Sequence, residues 1–183
     1  TQLCFYDPGL GSDPDLSEEP GLLDRLRGAV AQAFGAGMTR NIIDCYAALL
    51  LSYRPGDRVF LFGFSRGAYT VRSAAGVMAL CGVPQGFSAG LPRATSWREI
   101  AERIREPSIR AIAEEAVREV YQTYGDAALR QARAADFRAR HGTTTLPPFF
   151  VGVWDTVRAL GWQVTDIANF GRHRFHDALL NRG

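Results

Sequence analysis

Gly63-Phe64-Ser65-Arg66-Gly67 is a Gly-x-Ser-x-Gly pattern, and it closes an apolar run that begins at Val59. A serine set between two glycines, where a strand turns into a helix, is the arrangement of a nucleophile elbow. The chemistry accounts for the residue types. The serine must sit on a strained turn with its hydroxyl standing out from the sheet edge. Gly63 and Gly67 omit side chains that would meet the neighbouring strand and helix, and glycine accepts the backbone angles of such a turn. The N–H of Arg66 then points at a developing oxyanion, and the helix N-terminus favours negative charge there. The competing reading is a tight strand-to-helix turn with an incidental serine, because the pattern alone is short.

A serine nucleophile needs a general base, an acid to orient that base, and a second oxyanion donor. Asp155 follows the apolar run Phe149–Trp154. Catalytic groups in open α/β sheets gather at the carboxyl ends of strands, so Asp155 is the candidate acid; helix capping and a plain turn are its alternatives. Gly9, Leu10 and Gly11 lie in a loop after the strand-like Leu3–Tyr6 and are candidates for the second donor, against an ordinary turn. No Gly-Lys-Ser/Thr follows that loop, which excludes a Walker phosphate loop. Of the three histidines, His141 precedes Asp155, against the order Ser, Asp, His for this fold, while His173 and His176 follow it with no further strand between. His176 is the candidate base within the chain, with a surface or packing role as its alternative. No Cys/His cluster has zinc spacing, so neither a metal nor another cofactor is expected.

These groups need elements to hold them. Leu3–Tyr6, Val59–Gly63 and Phe149–Trp154 read as strands apolar on both faces, which predicts a parallel sheet covered on both faces. Between the first two, a short helix over about 21–34, a break at Gly35-Ala36-Gly37, and a second helix capped by Thr39 or Asn41 and running to about Tyr53 make a right-handed crossover. Residues 68–80 form the helix after the elbow. Ser96 and Glu99 make a capping box, and Ser108 is placed to cap the next helix. Ile109, Ile112, Ala113, Ala116, Val117, Val120, Tyr121 and Tyr124 form an amphipathic stripe, read as core packing with a lid as the alternative. Arg130, Arg133, Arg138 and Arg140 read as a solvated helix face.

Composition bounds the rest. The 183 residues allow one domain with a real core, and 46% apolar residues exclude a disordered chain. A net charge of +2 is too small to argue for nucleic acid, although all 21 basic residues are arginine. Cys4, Cys45 and Cys81 sit in apolar surroundings and read as free core thiols. No apolar run approaches a membrane span, and no charged-then-apolar leader opens the sequence.

The sequence resembles the bacterial α/β-hydrolase-like domain family that includes the type VI secretion phospholipase effectors, the Tle-type lipases. The matching stretches are FYDPGLG, GAGMTRNIIDCYAALLLSYRPGDRVFLFGFSRGAYTVRSAAGVMALCGV, FRARHG, PPFFVGVWDTVRALG and RFHDALL. The resemblance implies a three-layer α/β-hydrolase-like fold with a central parallel sheet and helices on both faces, one domain over 1–183 with a helical insertion at about 96–141. It implies a serine hydrolase that cleaves an ester bond of a phospholipid or other acyl lipid. Ser65 is then the nucleophile and Asp155 the acid, with Arg66 and the Gly9–Gly11 loop around the oxyanion. It further implies a bacterial protein held in the producing cell's cytoplasm and secreted into a target cell, with peripheral membrane contact.

Two family elements, a Phe-Asp-Gly-Thr strand and a later Pro-Gly-x-His-Ser-Asp-x-Gly-Gly segment bearing the histidine, have no counterpart here. The expectation is therefore a partial domain whose base lies elsewhere, and whose unpaired sheet edge invites a homodimer or a complementing chain. The rival class is a non-catalytic interaction or scaffold domain that keeps the elbow for structural reasons.

Overall fold

The computed structural model describes residues 2–7, 23–84, 94, 96–123 and 125–154; for 23–36 and Pro84 it describes the backbone alone. Asp155, His173, His176, Tyr124 and the loop carrying Gly9, Leu10 and Gly11 lie outside the described residues.

Helix α1 spans Leu23–Ser52, β1 Phe60–Phe64, α2 Arg66–Cys81 and β2 Val83–Pro84. Then come α3, Trp97–Arg103; α4, Pro107–Glu114; a π-helix, Glu115–Tyr121; α5, Ala127–His141; β3, Thr143–Thr144; and β4, Phe150–Trp154. β1 and β4 pair in parallel, with Phe60 opposite Phe150 and Phe64 opposite Trp154. β2 and β3 form a separate antiparallel pair. The architecture is α/β, with a small parallel sheet set among helices.

The core forms between helices. Ile42, Ile43, Tyr46, Leu50 and Leu51 of α1 are buried against Val77, Leu80 and Cys81 of α2. Ile109 and Ala113 of α4, Val117 and Val120 of the π-helix, and Ala134 and Phe137 of α5 complete the cluster. The stripe over 109–121 is thus packing, not a lid. Two polar contacts fix its orientation: the Arg110 guanidinium pairs with Asp44, and Gln122 Nε2 donates to Thr39 Oγ1 at 2.9 Å. The Tyr46 hydroxyl, buried, donates to the Gly82 carbonyl at 2.6 Å, tying α1 to the end of α2.

Several expectations change. The break at Gly35-Ala36-Gly37 is absent: α1 runs through it as one helix of 30 residues. Glycine costs about 1 kcal/mol in a helix, but only proline removes a hydrogen bond and forces a stop. The packed half from Ile42 to Leu51 offsets that cost. Leu3–Tyr6 is not a strand; the described segment joins no ladder. Leu3 and Phe5 pack against the core while Cys4 and Tyr6 are exposed. α4 begins with Pro107, whose fixed φ suits the first helical position, and Ser108 makes no cap. The Ser96 cap holds, its hydroxyl accepting from Glu99 N at 3.3 Å.

The regular stripe predicts α-helix through Tyr121, whereas Glu115–Tyr121 is π-helical. There the Tyr121 ring approaches α2 so closely that a Cβ on Gly76 would lie 2.6 Å from it. The face of α5 is not wholly solvated either: Arg130 is buried, and Arg138 is half-buried, donating to the Leu80 carbonyl in the last turn of α2. Nor are all three cysteines in the core, since Cys4 is exposed and Cys45 intermediate.

The sheet departs most. Even-numbered residues of both strands point away from α2, and Phe60, Phe62, Phe64, Phe150 and Trp154 are exposed. The expected second cover on that face is not found among the described residues.

Candidate active site at the β1–α2 junction

The junction is built from β1 downward. Gly63, the fourth residue of β1, is buried, and a Cβ there would lie 2.4 Å from the Gly67 carbonyl oxygen and 2.7 Å from Ala68 Cα. Only glycine lets the strand turn back this tightly onto the first turn of α2. Gly67 differs from expectation: among the described residues a Cβ on it would meet nothing within 4 Å. Residue 67 lies in the first turn of α2, so among the described residues the close approach in this turn concerns residue 63.

Ser65 occupies the turn itself with φ 53° and ψ −115°, and among the described residues it alone departs from negative φ without being glycine. Such a conformation costs on the order of 1–3 kcal/mol and persists only where surrounding structure enforces it. The enforcement is visible. Ser65 N donates to the Trp154 carbonyl at 2.9 Å, extending the β1–β4 ladder by one bond, and the Ser65 carbonyl accepts from Ala68 N at 3.1 Å. The residue is therefore clamped on both sides of its Cα. Its side chain makes no capping hydrogen bond to α2, although serine is among the preferred capping residues. The hydroxyl is left for other partners at the positive end of a 16-residue helix. Arg66 is the first residue of that helix.

The arrangement brings together Gly63, Ser65, Arg66 and Gly67. Trp154, which immediately precedes Asp155, ends β4 level with Phe64. The remaining candidates, Asp155, His176, Gly9, Leu10 and Gly11, are outside the described residues. What the sequence did not reveal is the Trp154 carbonyl as the clamp on Ser65; backbone groups carry no residue signature, and only the strand register shows it.

His141, set aside as a base by chain order, is occupied elsewhere. Its Nε2 lies 3.0 Å from Glu115 Oε2 and its ring packs 4.4 Å from that of Phe137, centroid to centroid. Arg140 also pairs with Glu115. Burial raises the Glu115 pKa, but the hydrogen bonds from Arg140 and His141 outweigh it and hold the carboxyl below its ordinary range. This cluster fastens the π-helix to the end of α5. Burial above all pushes the Cys45 and Cys81 thiols up to about 12, which disfavours the nucleophilic thiolate. Among the described residues no group of three His, Cys, Asp or Glu side chains is placed to hold a metal ion, and no helix is long and apolar enough to cross a membrane.

Comparison with known proteins gives one extensive match. The family model described as "T6SS, Phospholipase effector Tle1-like, catalytic domain" matches residues 1–182. A Saccharomyces cerevisiae protein, "Uncharacterized protein YEL023C", is 34% identical over 86 residues. That alignment takes in 45% of this chain and 13% of the yeast protein, so the chain spans only a small part of this relative's length. No solved structure matches.

Proposed function

The chain belongs to the type VI secretion Tle1-like phospholipase effector catalytic-domain family, and from that premise we propose that it acts as a serine hydrolase on phospholipid esters. The observation that carries the reading is the backbone of Ser65: a non-glycine residue held at φ 53° between a parallel strand and a helix N-terminus. Strain of this kind is kept where it serves chemistry, and a strand-to-helix serine turn is where acyl-transfer enzymes place their nucleophile.

In the proposed reaction the Ser65 hydroxyl attacks the ester carbonyl carbon. A histidine accepts the hydroxyl proton and later returns it to the leaving alcohol, with Asp155 orienting its ring. His176 is the candidate within this chain, and a histidine from another segment is the other. The tetrahedral oxyanion is met by the Arg66 N–H and by an N–H from the Gly9–Leu10–Gly11 loop, in a three-layer α/β-hydrolase arrangement. Attack, collapse of the intermediate and hydrolysis of the acyl-Ser65 ester by water return the enzyme to its starting state. Substrate in a bilayer implies peripheral contact with the target cell's membrane.

The test is release of fatty acid from phosphatidylethanolamine and phosphatidylglycerol vesicles by the full-length protein and its Ser65→Ala variant. Hydrolysis lost in the variant supports the reading. Equal hydrolysis by both, or none by the wild type under any lipid composition, overturns it in favour of a non-catalytic interaction domain.

A further inference from the structure

Arg130 stands apart from the other charged side chains. Among the described residues it alone is both charged and buried, 7% exposed, although it sits near the start of α5, a helix whose other arginines are exposed or half-buried. A guanidinium does not shed its proton in a protein, and burying a charge without a partner is costly. Yet Arg130 Nη1 donates only to the Thr123 carbonyl, at 3.5 Å, and Nε has no partner among the described residues. No carboxylate among them pairs with it. Asp126, four residues back on the same helix, instead caps α5, its Oδ1 accepting from Leu129 N at 2.9 Å. The edge left over, Nε with Nη2, is the pair of parallel donors that an oxyanion takes side-on.

Positive charge gathers round this edge. Arg133, one turn further along α5 and exposed, donates from Nη1 to Thr123 Oγ1 at 3.1 Å and to the Glu119 carbonyl at 2.9 Å. Two guanidiniums thus converge on Thr123, and Glu119 meets them with its backbone. Glu115 and Asp136, which lie nearby, pair with Arg140. On the α2 side, the Tyr121 ring lies against Gly76 and its hydroxyl hydrogen-bonds Ser73. Burial pushes that hydroxyl up, while the charges of Arg130 and Arg72 both act against the rise. Arg72 of α2 therefore shares the neighbourhood.

We propose that Arg130, flanked by Arg133 and Arg72, forms a binding site for a phosphate group where α2, the π-helix and α5 meet. Phosphate suits the cluster better than carboxylate does. Its tetrahedral oxygens can meet donors from two helices at once, whereas a carboxylate presents two oxygens in one plane. Inorganic phosphate and the headgroup of an anionic lipid share this chemistry. Arg72 lies seven residues beyond Ser65, about 10 Å along the axis of α2, so the site is separate from the β1–α2 turn. The inference does not depend on the proposed catalysis.

The full-length protein is melted in sodium chloride and in rising sodium phosphate at matched ionic strength and pH. Wild type is expected to gain about 3–6 °C in Tm once phosphate reaches about tenfold its dissociation constant. Arg130→Met keeps the stem and removes the charge. It should lose that gain, bind phosphate at least about tenfold more weakly by titration calorimetry, and melt no lower than wild type in chloride, because an unpaired buried charge has gone. Arg130→Lys keeps the charge without the parallel donors and should also bind about tenfold more weakly. Given that response, the source is read from phosphatidylglycerol vesicles pelleted with the Ser65→Ala protein, in which the proposed nucleophile is absent. Pelleting reduced by adding Arg130→Met assigns the phosphate to a lipid headgroup, and pelleting unchanged by it assigns a soluble phosphate compound; either upholds the site. No phosphate-dependent gain in wild type overturns the proposal, as does an equal gain in Arg130→Met. A lower Tm of that variant in chloride, or its failure to fold there, also overturns it, since the guanidinium would then be satisfied by the fold itself.

Discussion

The backbone N–H of Ser65 donates to the Trp154 carbonyl oxygen at 2.9 Å, so the turn that carries the serine hangs from the last residue of β4. Two segments separated by almost ninety residues thus share one hydrogen bond at the carboxyl end of the sheet. The serine's position depends on β4 being in register, and any change that shifts β4 by one residue moves the hydroxyl as well.

The strain at Ser65 gives a prediction about stability independent of activity. Ser65→Gly removes a conformational cost of about 1–3 kcal/mol and adds about 0.5–1 kcal/mol of unfolded-state entropy. Thermal or urea unfolding should therefore show the variant more stable than wild type, by roughly 0.5–2 kcal/mol. A lower stability would mean the turn is not strained.

The two glycines flanking the serine should behave oppositely. Gly63→Ala places a Cβ 2.4 Å from the Gly67 carbonyl and should cost about 3 kcal/mol or more, or displace the turn and abolish activity. Gly67→Ala meets no described residue within 4 Å and lies inside α2, so it should be neutral or stabilising by up to about 1 kcal/mol. Chemical denaturation of the pair measures both; equal losses would contradict the geometry.

That asymmetry marks how far the sequence could be read. The strand–serine–helix order was legible because a continuous apolar run, a Gly-x-Ser-x-Gly pattern and a small-residue helix follow each other locally. Gly63 and Gly67 look alike in the pattern, and only the fold-back of β1 onto α2 separates them. The uninterrupted α1 was hidden for a related reason: Gly35 and Gly37 weaken a helix locally, while the tertiary burial of Ile42 to Leu51 that sustains it is invisible to local propensity. The π turn at Glu115–Tyr121 was equally hidden, since its apolar spacing fits an α-helix, and the close approach of Tyr121 to Gly76 on another element is not visible locally. Asp155, His176 and the Gly9–Gly11 loop remain sequence readings, and the tests of function address them.

The cluster at the end of α5 sets a pH response. Against the rise from burial, the hydrogen bonds from Arg140 and His141 hold the Glu115 carboxyl below its ordinary range, so its ionised form is favoured by folding. Stability from this group is fully present above the unfolded-state value and is lost as pH falls through the lower folded value. Melting temperature recorded from pH 7 down to pH 3 should fall more steeply in wild type than in Glu115→Gln. Parallel curves would show that Arg140 and His141 do not stabilise the carboxylate.

Arg138 is expected to stabilise the fold through the end of α2. Its guanidinium donates to the Leu80 carbonyl, where the helix dipole is negative. Arg138→Met keeps the length and apolar stem but loses the donor, and should cost about 1–3 kcal/mol in a denaturation titration. No loss would place Arg138 among solvated surface charges.

The central claim is that Ser65 is the nucleophile, and covalent trapping tests it most directly. The full-length protein is treated with a fluorophosphonate, digested and mapped by mass spectrometry, beside its Ser65→Ala and Asp155→Asn variants. The account predicts one adduct, on Ser65, absent from Ser65→Ala and formed up to about 10⁴-fold more slowly in Asp155→Asn, where the base would adopt the wrong tautomer. Phospholipid hydrolysis by a protein whose Ser65 stays unmodified, or that survives Ser65→Ala within tenfold of wild type, would contradict it.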